Sequence, residues 1–181
     1  MSENMQKVKY LKFLEVFEDD TKLCKKIPSS EYLKEGAYQI IDQGQNDIAG
    51  YTYDSTGLYT DTPVIIFGDH TRVIKYVDKP FFIGADGVKV LKSKIDTFNT
   101  KYLYYALLNA KIPNTGYNRH FKWLKEVKIA VASPDAQRKI VSTLSEIENI
   151  IGKRKRQLEK LDELIKSKFT EMFGDIYMNS F

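Results

Sequence analysis

The chain has 181 residues, of which 43% are hydrophobic, so it has room for one globular domain and one long helix. Its single cysteine, Cys24, excludes an intrachain disulfide and favours a reducing compartment. No apolar run approaches the ~18 residues of a membrane span, and the polar N-terminus is unlike a signal peptide, so we expect a cytoplasmic protein. The net charge of +4 permits nucleic-acid binding without requiring it.

Short apolar runs bounded by turn residues predict a set of β-strands after residue 37. The run Val64–Phe67 contains no polar residue, which is typical of a strand at the centre of a sheet. A turn-rich loop over residues 42–47 follows the first of these strands. The expected strands are Tyr38–Ile41, Val64–Phe67, Arg72–Val77, Phe81–Ile83 and Val88–Leu91.

The second part of the domain combines one helix with a last strand. The stretch Asn99–Asn109 predicts a helix, because its apolar residues recur on one face. A loop-like segment, Ile112–Lys122, then leads to an expected strand at Val127–Val131. Short strands, turns and a helix together indicate an α+β domain over residues 1–132.

Residues 133–173 are predicted to form one long amphipathic helix. Ser133 is a good N-cap, and Pro134 suits the first helical position. Apolar residues alternate at steps of three and four, and only Arg154 and Lys168 interrupt this heptad seam. The eight apolar members of the seam are Ile140, Leu144, Ile147, Ile151, Leu158, Leu161, Ile165 and Met172.

Such a helix is roughly 60 Å long at about 1.5 Å per residue, so the small domain cannot cover it. The seam therefore predicts pairing with a second helix, from another copy or another subunit. The basic cluster Lys153–Arg156 is either a solvated helix face or an electrostatic surface for an acidic partner, and the sequence leaves both open. Residues 174–181 are expected to be a tail.

Several enzyme classes lack their motifs in this sequence. The chain has no glycine-rich dinucleotide loop, no phosphate-binding loop and no amino-methyltransferase motif. It has two histidines and one cysteine, which is a poor ligand set for zinc. We therefore expect no catalytic residue and no metal site in this chain.

The loops carry side chains that suit the recognition of DNA. Glutamine and asparagine can form paired hydrogen bonds with adenine, and arginine can do so with guanine. Tyrosine and histidine can contact phosphate or stack on a base. Polar residues populate the loops of every protein, so these side chains alone do not identify a DNA reader. The candidate DNA-binding residues are Gln43, Gln45, Asn46, Tyr51, His70, Thr71, Arg72, Tyr117, Arg119, His120 and Lys122.

The order of the segments resembles the specificity subunit of type I restriction–modification systems, or one half of it. The resemblance covers essentially the whole chain and includes a segment similar to the family's Pro-x-x-x-Gln-x-x-Ile helix start. Met172-Phe173-Gly174-Asp175 is similar to the junction at which a second domain would begin, so a naturally half-size chain and a truncated one both stay open. The segments that carry the resemblance are Gly36–Ile41, Gly44, Gly50–Tyr51, Val64–Val73, Phe81–Leu91, Tyr102–Leu107, Gly116, Ala132–Ile140 and Leu161–Phe173.

The resemblance implies a non-catalytic subunit that recognises DNA. The full-length subunit of this family has two target recognition domains, each followed by a helix, and the two helices pair antiparallel. One domain and one helix imply a homodimer that reads an interrupted palindrome in double-stranded DNA. DNA methylation with S-adenosylmethionine, and cleavage with ATP and Mg, would then belong to methyltransferase and restriction subunits. The alternative is a coiled-coil adaptor whose globular head binds protein.

Overall fold

The structure, a computed structural model, describes residues 9–84, 87–116 and 118–174. It divides into two compact units, of which the first ends at Arg138 and the second begins at Lys139. Two short 3-10 turns, Asp20–Leu23 and Ser29–Glu31, lie among the first strands. In chain order the described strands and α-helices are β1 (Tyr10–Lys12), α1 (Phe13–Val16), β2 (Phe17–Asp19), β3 (Tyr38–Ile41), β4 (Gly50–Thr52), β5 (Val64–Gly68), β6 (Ile74–Val77), β7 (Phe81–Ile83), β8 (Val88–Ser93), α2 (Thr100–Leu108), α3 (Phe121–Leu124), β9 (Lys128–Ala130) and α4 (Pro134–Phe173).

A four-stranded antiparallel sheet forms the centre of the first unit, in the order β2-β8-β5-β6. All five residues of β5 are buried, which explains why this strand has no alternation of polar and apolar residues. The prediction of a central strand at Val64–Phe67 is therefore confirmed. β5 continues into β6 through a turn over residues 69–73, so the side chains of this turn lie at one end of the sheet.

A three-stranded sheet, in the order β4-β3-β7, lies beside the first one in the core. β3 pairs antiparallel with β4 and parallel with β7. One buried cluster contains Ile41 and Ile83 from this sheet together with Ile66 and Val90 from the other. The hydrophobic contact between the sheets fixes the position of the loop that follows β3. A two-stranded sheet pairs β1 with β9.

Helix α2 begins as the sequence predicts. The Asn99 side-chain oxygen accepts hydrogen bonds from the backbone N–H groups of Lys101 and Tyr102, which is an ordinary N-cap arrangement. The segment Ile112–Lys122 is not loop throughout, because α3 begins at Phe121. The sequence prediction was wrong at this point because a side chain from the turn after β5 supports the start of α3, as described below.

The long helix α4 confirms the predicted element. The Ser133 hydroxyl oxygen accepts a hydrogen bond from the Ala136 N–H at 3.3 Å. The helix ends at Phe173, where Gly174 adopts a left-handed φ of 79° and donates its N–H to the Thr170 carbonyl at 2.9 Å. Among the described residues, no helix is long and apolar enough to cross a membrane.

The buried thiol of Cys24 leads to a first testable prediction. Burial, followed by the charges of Asp20 and Asp19, raises the pKa of Cys24 to about 12 from an ordinary value of 9.0. Because the thiolate is the reactive form, at pH 8 the folded protein contains roughly a thousandth of the thiolate of an exposed cysteine. We expect Ellman's reagent to react slowly with the native chain and at once in denaturant.

A matched variant provides the control for the thiol measurement. Leu23 is an exposed neighbour, so the double variant Cys24→Ala/Leu23→Cys carries one accessible thiol in the same segment. This variant should react rapidly without denaturant, and the native rate should rise about tenfold for each pH unit above 8. A native chain that reacts as fast as the variant would contradict the assignment of Cys24 to the core.

Candidate nucleic-acid interface

Three loops of the first unit contact one another and form what we call the loop cluster. They are residues 42–49 between β3 and β4, residues 69–73 between β5 and β6, and residues 109–116 and 118–120 between α2 and α3. The Gln43 side-chain oxygen accepts a hydrogen bond from the His70 N–H at 3.2 Å, and the Thr71 hydroxyl donates to the Gln43 carbonyl at 2.6 Å. These two bonds join the first loop to the second.

A buried lysine stabilises the first loop through hydrogen bonds to its backbone. Lys75, in β6, is 5% exposed, and its Nζ donates to the carbonyls of Asp42 at 2.8 Å and Asn46 at 2.6 Å. Burial lowers the pKa of Lys75, against the opposing effect of the Asp42 and Asp47 charges. Because the ammonium donates to carbonyls four residues apart, it closes the turn over residues 42–46, in which Gln45 and Asn46 are exposed.

The second loop is held in an unusual backbone conformation. Arg72 has a φ of 62°, a left-handed value that is uncommon for a non-glycine residue. Its N–H donates to the Gly68 carbonyl at 2.7 Å, and Gly68 N–H donates to the Val73 carbonyl at 2.8 Å, so backbone hydrogen bonds stabilise the turn. The Arg72 Nη1 donates to the Ile112 carbonyl at 3.5 Å and thereby contacts the third loop.

The third loop joins the second through buried polar groups. His120 is fully buried and Asp69 is 4% exposed. The Phe121 N–H donates to the Asp69 carboxylate at 2.7 Å, and this bond supports the start of α3. The predicted contact between the His120 ring and DNA does not fit this position, because the ring has no exposed surface.

Cations surround α3 at the edge of the loop cluster. Arg119 precedes the helix and is exposed. Lys122 is exposed, and its Nζ lies 5.1 Å from the centre of the Trp123 ring. Lys125 is also exposed, with its Nζ 4.8 Å from the centre of the Phe121 ring. Exposed cations of this kind suit contact with phosphates.

Most of the predicted DNA-contacting residues therefore belong to one cluster. Gln43 is half-buried and bridges two loops, whereas Tyr51 lies on β4 opposite Gln39 rather than in a loop. Tyr117 lies outside the described residues. The candidates in the loop cluster are Gln43, Gln45, Asn46, His70, Thr71, Arg72, Arg119 and His120.

Sequence reasoning missed two residues that organise the site, Lys75 and Asp69. The available signal for Lys75 was a single charge in an otherwise apolar strand that follows a loop rich in aspartate. Among the described residues, no group of three or more His, Cys, Asp or Glu side chains could hold a metal ion.

The fold and the loop cluster define a class of protein: a recognition domain with braced loops, followed by a long helix with an exposed apolar seam. Residues 5–161 match the family described as type I restriction modification DNA specificity domain. The chain therefore belongs to this family, and the resemblance inferred from the sequence is confirmed.

Individual relatives agree with this family. The chain is 30% identical over 145 residues to the EcoR124I/EcoR124II specificity subunit of the type I restriction enzyme of Escherichia coli, covering 76% of this chain and 35% of that protein. It is 28% identical over 155 residues to a putative type I restriction enzyme MjaX specificity subunit of Methanocaldococcus jannaschii, covering 77% of this chain and 36% of that protein. The chain thus spans about a third of the length of these relatives.

A solved structure shares the fold. The S subunit of a type I restriction-modification system from M. genitalium superposes with a TM-score of 0.62 at 19% identity. The superposition covers 94% of this chain and 47% of that one. The predicted α+β domain with a long helix is thereby confirmed, whereas the pairing of the helix stays a prediction.

Proposed function

We propose that this chain is a non-catalytic DNA-recognition subunit that directs a partner methyltransferase, with or without a restriction subunit, to a bipartite DNA site. The observation that carries the proposal is the loop cluster, in which three loops with exposed polar side chains are braced into one surface. Membership of the specificity family supports DNA as the ligand. In this proposal, chemistry with S-adenosylmethionine, ATP and Mg belongs to the partner chains.

The loop cluster offers two kinds of contact to a DNA duplex. Gln45, Asn46 and Arg119 are exposed and can form hydrogen bonds with base edges, which provides specificity. Lys122 and Lys125 are exposed beside α3 and can contact phosphates, which provides affinity without reading the sequence. We assign base reading to the first group and positioning to the second.

The helix provides the second part of the proposal. Most of the predicted seam residues are exposed within this chain, and an apolar stripe of this length is typical of a helix that pairs. We propose that two copies pair antiparallel, so that the same surface of each faces the other. A symmetric dimer reads the same bases twice in opposite orientations, so the target is expected to be an interrupted palindrome.

Co-expression with a type I methyltransferase subunit tests this function. Mapping of the methylated sites across the host genome should show one interrupted palindrome. Arg119→Ala should weaken the free energy of DNA binding by about 1–3 kcal/mol and relax the specificity at one base position. Lys122→Ala should weaken binding to all sequences alike and lower the salt slope by about one.

The two variants control each other, because both remove a cation from the same edge of the domain. The base-reading assignment fails if Gln45→Ala, Asn46→Ala and Arg119→Ala all leave the methylated sequence unchanged. An uninterrupted motif would contradict the dimer. A chain that captures protein and shows no selective DNA binding would instead support a coiled-coil adaptor.

A further inference from the structure

We propose that His120 is a positioning residue that joins the two arginine-bearing loops into one reading unit. This inference rests on the proposed function and deepens it, because it assigns a specificity role to a side chain that cannot contact DNA. Its partner is Asp69, which lies at the end of β5 and is 4% exposed.

The His120 ring bridges two segments. Its Nδ1 lies 3.0 Å from the Asp69 carbonyl oxygen, and its Nε2 lies 3.4 Å from both the backbone nitrogen and the hydroxyl oxygen of Thr115. A carbonyl only accepts hydrogen bonds, and a backbone N–H only donates them. The two partners therefore fit a ring in which Nδ1 carries a proton and donates to the Asp69 carbonyl, while Nε2 accepts from Thr115.

Asp69 makes three further hydrogen bonds. Its carbonyl also accepts the His120 N–H at 2.8 Å, and its carboxylate accepts the Phe121 N–H at 2.7 Å. Its own N–H donates to the Gly87 carbonyl at 2.7 Å, beside β8. The turn after β5, the start of β8 and the start of α3 are thus tied together by hydrogen bonds in the interior.

The hydrogen bonds of Asp69 and His120 bear on DNA recognition because each residue lies close in the chain to an arginine. Arg119 directly precedes His120, and Arg72 follows Asp69 by three residues. The Asp69–His120 pair therefore lies at the start of the turn that carries Arg72 and directly after Arg119, and it joins the two loops before DNA is bound. A pre-organised loop loses less conformational freedom on binding, which favours the one sequence that matches its geometry.

Two conservative variants test the hydrogen bonds of the two ring nitrogens separately. His120→Asn keeps an N–H donor near the position of Nδ1 and removes the acceptor for Thr115. His120→Gln places an acceptor near the position of Nε2 and removes the donor to Asp69. The control is Val16→Ala, which removes part of a fully buried side chain on α1, an element outside the loop cluster.

Hydrogen exchange and DNA selectivity are measured on the same preparations of the full chain. We expect exchange of the Thr115 amide to accelerate about tenfold or more in His120→Asn, with a smaller change in His120→Gln. The affinity ratio between a duplex with the mapped methylated site and one with a scrambled half-site should fall about 10–100-fold in both. Val16→Ala should change neither the exchange at Thr115 nor the ratio.

The outcomes distinguish this proposal from the function on which it rests. Unchanged exchange in both His120 variants would overturn the positioning role. Faster exchange with an unchanged affinity ratio would also overturn it, because the loops would then read DNA without the link. Faster exchange in a chain whose native form selects no DNA sequence would support the link and refute the proposed function.

Discussion

Replacing Leu158 and Leu161 by glutamine is expected to convert a dimer of this chain into a monomer. Both leucines are exposed within the chain, Leu158 at 62% and Leu161 at 53%, and both belong to the predicted seam. A buried leucine contributes about 1.5–3 kcal/mol, and a symmetric dimer contains four of them. If only half of the lower value is realised, the loss is about 3 kcal/mol, or roughly 150-fold in the dissociation constant.

Light scattering and sedimentation at tens of micromolar measure this effect. Ser167→Gln is the matched control, because it adds the same side chain about 180° around the helix from Leu158. The control should remain a dimer. A native chain that is monomeric at this concentration would refute self-association, and a double variant that stays dimeric would place the interface elsewhere.

The exposed apolar face is wider than the seam that the heptad pattern predicts. Ile150, Leu164 and Phe169 are also exposed, and they lie at heptad positions beside the seam. Leu144, a predicted seam member, is half-buried. A two-stranded coiled coil needs only a narrow stripe, so the exposed apolar face is wider than such a pair would cover.

Elements with a strong local signal were predictable from the sequence. The run at Val64–Phe67 and the cap at Ser133 each depend on neighbouring residues alone, and both agree with the structure. The strands β1, β2 and β4 have only three residues each and were missed. Strands of this length form because a strand distant in sequence pairs with them, as β9 does with β1. The residues of the short strand alone do not indicate that pairing.

The sequence predicted which types of residue form the candidate site, but not the role that each residue has in it. Arg72 and Gln43 were named as base readers because of their chemistry, yet both also bridge loops in the structure. Lys75 supports the first loop from a strand, and no spacing rule connects it with Asn46. The role of a polar side chain depends on the partners that the fold brings to it, and those partners are distant in sequence.

Gln137, in the first turn of α4, is expected to be among the most sensitive positions in the first unit. It is 2% exposed, and its side-chain oxygen accepts the Asn99 N–H at 2.7 Å. Its Nε2 donates to the carbonyls of Thr97 at 3.2 Å and Ala132 at 2.9 Å. The side chain thereby satisfies three backbone groups in two segments, the connection before α2 and the connection before α4.

Gln137→Ala should lower the free energy of unfolding by about 2–5 kcal/mol, because it leaves these three groups without a partner and opens a cavity. Gln157→Ala is the matched control, since Gln157 is exposed on the same helix and should change stability by less than about 0.5 kcal/mol. Urea denaturation measures both values. Gln137→Glu keeps the acceptor for Asn99 but sets a carboxylate against two carbonyls, so it should destabilise at least as strongly as alanine. Equal stabilities for Gln137→Ala and Gln157→Ala would show that the hydrogen bonds of Gln137 do not hold the start of the helix.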